Sequence, residues 1–140
     1  MEFCAKKLNA KVINTLFSQA NLSVAMGTII IISTYPDEKS VSKIADLVIQ
    51  KRLAACVNFT KINSVYRWQG KIEHANEFLA LFKTTNKAKP DLKNQIKKSH
   101  PYEVPEIVEI KVDAVVKSYL DWLVRSTSRH KSQKRNYSPK

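Results

Sequence analysis

Four consecutive isoleucines, Ile29 to Ile32, constrain this 140-residue chain more than any other stretch. β-branched side chains are stiff at χ1 and crowd a helix, so the run Thr28–Thr34 reads as a strand. Successive strand residues point to opposite faces, so this strand is apolar on both, and both faces must be covered. Pro36 then removes a backbone donor and ends the strand. A chain of this length forms one domain that buries roughly two-thirds of its unfolded surface.

Around that strand the rest reads in order. Asp37 is placed to cap a helix carrying Val41, Ile44, Ala45 and Val48 at helical spacing, expected to run to about Leu53 and to end beside Lys51 and Arg52. Ala54–Phe59 reads as a second strand continuing through Ile62 and Val65 to Trp68. Gln69-Gly70 is a turn signal, and Lys71–Thr85 a long returning strand. Phe78, Ala80 and Phe82 point one way and Leu79 and Leu81 the other, so this strand too is apolar on both faces. Pro90 suits the first turn of a helix with Leu92 and Ile96 on its stripe, ending at His100. Ile107, Val108, Ile110, Val112 and Val115 suggest a further strand, and Tyr119, Leu120, Trp122 and Leu123 a last short helix.

The order is β-α-β-β-α-β with an added C-terminal helix, an α+β ferredoxin-like pattern. In that architecture the helices cover one sheet face. The apolar second face then calls for another copy of the chain, so an oligomer is expected. Residues 1–25 read as an N-terminal extension, disordered or loosely helical, with Met26 a candidate start; residues 26–127 form the domain; residues 128–140 are a basic, disordered tail.

Composition narrows the function. The net charge is +12, and the tail holds five basic and no acidic residues. Such a tail attracts any polyanion weakly, but the aromatic motif expected on an RNA-binding sheet is missing, so no specific nucleic-acid partner is expected. The only two glycines exclude a Gly-rich phosphate loop. No apolar run is long enough for a membrane span. Cys4 and Cys56 form neither a disulfide framework nor a C-x-x-C motif, which fits a reducing, cytoplasmic setting. Acylphosphatase-like catalysis on this fold wants an arginine in the loop after the first strand; Tyr35-Pro36-Asp37-Glu38 is acidic there, and no enzyme is expected.

The candidate site centres on His100-Pro101-Tyr102-Glu103-Val104-Pro105-Glu106-Ile107, where two prolines stiffen the backbone and drive His100 and Val104 out of the helical region. His100 is the foremost metal-ligand candidate, since imidazole suits copper and zinc. Glu103 is a candidate beside it, against the plainer reading of a cap or ion pair. Cys56 offers a thiolate, against the reading of a small buried hydrophobe. Lys83 lies among apolar residues and needs an acidic partner, with Glu73, Glu103 or Asp121 in view, or else an anionic ligand. With Tyr102 and Trp68 it makes a candidate ligand pocket. Trp68, Tyr66 and Trp122 could stack on a small ligand at a subunit cleft, but such aromatics read more often as interface anchors.

Arg52-Leu53-Ala54-Ala55-Cys56-Val57-Asn58, Tyr66-Arg67-Trp68-Gln69-Gly70-Lys71-Ile72, Lys83-Thr84, the 100–106 loop and Tyr119-Leu120-Asp121-Trp122 occur in that order and spacing. Together, over residues 27–126, they resemble the CutA family of divalent-cation tolerance proteins. The resemblance implies a ferredoxin-like fold and a tight homotrimer built through the long hairpin strands, similar to the PII signalling proteins. It further implies tolerance of copper or another divalent cation, with no cofactor required for folding and no firmly attached reaction. Some members bind metal through a cysteine at the end of the first strand and paired histidines before the proline loop. Here those positions are Ser33 and Ser99-His100, so one histidine of that set is kept. A PII-like sensor or scaffold binding an anionic ligand at the inter-subunit cleft is the alternative implied.

Overall fold

A computed structural model describes residues 27–129. The readings for residues 1–25, Met26 and most of the basic tail lie outside the described residues. Strand β1 (Thr28–Tyr35), helix α1 (Glu38–Gln50), strands β2 (Cys56–Trp68) and β3 (Lys71–Thr85), helix α2 (Lys89–Ser99), strand β4 (Val108–Lys111) and helix α3 (Lys117–Thr127) follow in that order. The sheet order is β2-β3-β1-β4 with antiparallel neighbours, the split βαβ arrangement that the sequence pattern predicts.

The isoleucine strand lies inside the sheet, paired with β3 on one side and β4 on the other. Ile29, Ile31 and Tyr35 face α1 and α2 and pack with Phe82, Ala80, Val41, Val48, Leu92 and Ile96 into one core. α3 packs against β3, where the Thr127 and Thr85 hydroxyls lie 3.5 Å apart. The register places Ile32, Leu79, Leu81, Val108 and Ile110 on the second face. Ile32, Leu79 and Leu81 are half-buried there, and Val108 and Ile110 are 44% and 43% exposed. The expected two-sided apolar character is thus present, with one side incompletely covered within the chain.

β1 pairs with β3 only from Phe78 to Thr85, so beyond Phe78 the β2–β3 pair continues alone as a two-stranded arm. At its tip Gln69 and Gly70 have φ of 48° and 77°, the doubly positive pattern of a tight hairpin turn whose twist matches the strands. Val65 and Ile72 on the arm are 64% and 62% exposed. A two-stranded ribbon is marginal by itself and gains stability by packing against another surface.

Two element ends differ from the sequence reading. α1 begins as predicted, with the Ser40 N–H donating to Asp37 Oδ1 at 2.7 Å. It stops at Gln50 rather than near Leu53, because Arg52 adopts φ 57° and the Leu53 N–H donates to Val48 O at 2.9 Å. That left-handed cap usually uses glycine; here Arg52 takes it, and its guanidinium donates to Arg125 O at 3.2 Å. The last strand spans Val108–Lys111 instead of Ile107–Val115. Antiparallel to β1, it runs past the start of its partner, and the Val112 N–H bond to Thr28 O at 3.1 Å is the last rung.

Phe82, wholly buried, anchors the helix-facing core. Phe82→Ala is expected to lower the unfolding free energy by about 3–5 kcal/mol, and Asp37→Ala by about 1 kcal/mol, as read by urea denaturation.

Candidate functional site

Pro101 forces His100 into extended backbone (ψ 135°), which ends α2 and swings the chain back over the end of β1. The His100 ring lies against Tyr35, centroids 4.4 Å apart, and 5.2 Å from the ring of Tyr102. Its Nδ1 accepts from the Tyr102 backbone N–H at 3.0 Å. That fixes the proton on Nε2, which donates to Thr34 O at 2.9 Å, with Ser33 Oγ at 3.3 Å. Burial lowers the His100 pKa below its ordinary 6.5, and the carbonyl of Thr34 opposes this only in part. The imidazole is therefore held neutral with its one lone pair in use. Beneath it the Tyr35 hydroxyl is buried with no well-formed hydrogen bond among the described residues, and burial pushes the phenol up to about 12 against a weaker pull from nearby Ser33.

The loop that His100 starts closes one side of a groove of about 540 Å³. β2 lines it with Ile62, Tyr66 and Trp68, which alternate on the second sheet face, and β3 with Glu77 and Leu79. Tyr102, Glu103 and Glu106 supply the opposite wall. Glu77 is only 6% exposed and accepts from the Tyr102 hydroxyl at 2.8 Å. Burial, then that hydrogen bond and the charge of Glu77, raise the Tyr102 pKa well above the usual phenol range.

The structure brings Tyr102, Glu103 and Trp68 together here and places His100 just behind the wall. It does not bring Cys56 or Lys83 to the groove. Cys56 faces Lys83 across the β2–β3 ladder, whereas His100 bonds to Thr34, which pairs with Leu79. Both lie roughly 13 Å along the strands from Thr34, Cys56 two strand spacings of about 5 Å each away and Lys83 one. Cys56 is half-buried at the first residue of β2, with its Sγ 3.6 Å from Asn58 Oδ1, rather than a core hydrophobe. Lys83 is half-buried and forms no ion pair among the described residues, so of its two readings the acidic partner is not found there. Asp121 pairs with Lys117 on α3, at 2.7 Å. The Trp122 ring lies tilted against Tyr119 on that helix, centroids 5.4 Å apart, and His74 is exposed on the arm. Among the described residues no three His, Cys, Asp or Glu side chains are grouped to hold a metal ion, so these residues of one chain do not by themselves make a complete site for a divalent cation.

Glu77 is the site residue that the sequence reading passed over. Its signal was positional: in β3 it shares a face with Leu79 and Leu81, so it breaks an apolar stripe where an ion costs most.

A split βαβ domain with one incompletely covered face and a groove beside a proline-stiffened loop defines the class. The family model for the CutA1 divalent ion tolerance protein matches residues 29–126, and the chain belongs to that family. It is 41% identical over 101 residues to the divalent-cation tolerance protein CutA of Pyrococcus horikoshii, covering 72% of this chain and 99% of that protein. The corresponding protein of Thermus thermophilus is 43% identical over 99 residues, covering 70% and 96%. Among solved structures, CutA1 from Pyrococcus horikoshii superposes with a TM-score of 0.70 at 40% identity, over 72% of this chain and 99% of that one. CutA from Synechococcus elongatus gives 0.72 at 34% identity, over 74% and 92%.

Two outcomes follow. Because the folded His100 pKa is lowered, the folded state holds fewer protons, and its contribution to stability is present above about pH 6.5 and lost as pH falls through the lower folded value. Acid titration of the unfolding midpoint should therefore show a loss as pH falls below about 6.5 that His100→Asn reduces; an unchanged slope would contradict the bonding described. Tyr102→Phe leaves Glu77 buried without its donor and should cost about 1–3 kcal/mol in the same denaturation measurement.

Proposed function

We propose that the chain serves divalent-cation tolerance as a non-catalytic, cytoplasmic homotrimer that binds a divalent cation, copper foremost, beside the 100–106 loop. The observation that carries this reading is the position of the carboxylate-lined groove on the incompletely covered sheet face. Family membership supports the cation, and the exposed arm and the apolar residues of the second face support assembly through that surface. Glu103 and Glu106, both exposed, are the donors this chain offers. His100 joins them only if its bond from the Tyr102 N–H opens. The remaining ligands then come from a second copy, since real sites converge two to four donors. An anionic ligand in the same groove is disfavoured: the groove is lined by three glutamates and by no lysine, arginine or histidine, and Lys83 stands outside it.

Light scattering should give a mass about three times the 16.0 kDa chain. Calorimetric titration of the chelator-stripped protein with Cu²⁺ should show micromolar or tighter binding, weakened about tenfold or more by Glu103→Gln and unaffected by Cys56→Ser. No heat above buffer, or binding lost only in Cys56→Ser, would overturn the proposed site.

A further inference from the structure

A second cavity, of about 350 Å³, lies between the end of α1 and the flank of α2. Both helices pack on the side of the sheet that Ile29 and Ile31 face, away from the surface where further copies are proposed to sit. Its lining holds three cations, Lys51, Lys98 and Arg129, against one carboxylate, Asp91. Arg129 donates to Asp91 Oδ2 at 2.7 Å, but both side chains are exposed, and such a surface pair yields readily to a competing anion. Lys51 donates to a neutral acceptor, Gln95 Oε1, at 2.8 Å. Neither Lys51 nor Lys98 forms an ion pair among the described residues. Asp46, one turn before the end of α1, is not part of the lining. At Arg129 the chain passes into residues 130–140, which carry Lys131, Lys134, Arg135 and Lys140 and no acidic side chain.

The chemistry of this surface narrows what it attracts. Uncompensated positive charge draws an anion, and charge that continues along the next segment suits a polymer of regularly spaced anions rather than one small ion. The one apolar lining residue, Leu53, is only 5% exposed, so the cleft offers nothing to insert into a bilayer. Asn94 and Gln95 add amide donors of the kind that hold phosphate oxygens. No aromatic side chain lines the cleft, so bases find no stacking platform and contact is to the backbone. The axes of packed helices lie about 8–10 Å apart, and a cleft between them admits one strand better than a duplex. Other features carry less: Cys56 and Lys83 oppose each other on the sheet face assigned to further copies, and the Tyr35 hydroxyl is sealed beneath His100.

We propose that the cleft between α1 and α2, continued by the basic residues beyond Arg129, binds the phosphodiester backbone of a single-stranded nucleic acid without regard to sequence. Lys51 and Lys98 each hold a phosphate from the two helix walls, and Arg129 exchanges Asp91 for a third. The site stands apart from the divalent-cation reading, which uses the opposite face of the sheet.

The test is fluorescence anisotropy of the full chain, in chelator, with a labelled DNA strand of about 20 nucleotides and mixed sequence. The same sequence in RNA and a second DNA sequence accompany it. Binding should be saturable at low salt and differ less than about threefold among the strands. Lys51→Gln/Lys98→Gln should weaken it about tenfold or more and lower the slope of log affinity on log salt by about one. Lys39→Gln/Lys43→Gln removes the same charge from exposed positions near the start of α1 and should change affinity less than about twofold. No binding at low salt, or equal loss in the two double variants, would overturn the proposal. So would binding that disappears when residues 130–140 are removed but is indifferent to Lys51→Gln/Lys98→Gln, which would assign it to the tail alone. Anionic phospholipid vesicles that bind where the strands do not would replace nucleic acid with a membrane surface. Because chelator is present throughout, failure here leaves the Cu²⁺ reading untouched, and failure of that reading leaves this one.

Discussion

One strand that is apolar on both sides governs this structure. Ile29 and Ile31 seat the helices, and their burial, with Phe82 and Tyr35, forms the core. Ile30 and Ile32 point the other way, and no helix covers the surface that Ile32 shares with Leu79, Leu81, Val108 and Ile110 as completely. A side chain removed from water contributes about 1.5–3 kcal/mol, so leaving such a face half-wet forgoes a sum comparable to a domain's net stability. The arm adds to the demand, since its strands reach past β1 into solvent with Val65 and Ile72 largely exposed.

The groove arises from the same geometry. Where β1 ends, the 100–106 loop folds over the sheet, held by the two bonds of His100 and by Tyr102 reaching Glu77. His100 acts in this arrangement as a clamp: one nitrogen fixes the end of β1 and the other the start of the loop. The polar groups it positions, three carboxylates against three aromatic rings, set the sign and the kind of ligand the surface can accept. A ligand or a neighbouring copy at this place would touch both the loop and the arm. Binding and assembly at this place would therefore be physically linked.

The elements that local chemistry decides were legible in the sequence. β-branched residues marked β1, Asp37 marked the start of α1, Gln69-Gly70 marked the hairpin, and Pro101 marked the end of α2. What depended on partners was not. β4 is short because β1 begins at Thr28, a fact about pairing rather than about Val112 or Val115. Arg52 gave no sign that it would take a left-handed cap, because that conformation is ordinarily announced by glycine. For the candidate site, the proline loop does wall a groove, and Tyr102, Glu103 and Trp68 meet in it. Cys56 and Lys83 oppose each other at the far end of the β2–β3 ladder. His100 looked like a free ligand because sequence does not show that a backbone N–H two residues on occupies its lone pair. The place of Glu77 on the apolar face of β3 was legible, but its burial and its bond to Tyr102 are properties of the fold.

The central claim, that the second sheet face and the arm are covered by copies of the chain, is tested most directly by amide hydrogen exchange along β2. Half of the β2 backbone groups point away from β3, toward no strand partner among the described residues. If copies cover that edge and face, the outward amides between Ile62 and Trp68 should exchange nearly as slowly as those of β1, and more quickly on dilution into mild denaturant. Rapid exchange of the arm under native conditions, with β1 still protected, would mean that the face stands open in solution and would contradict the account.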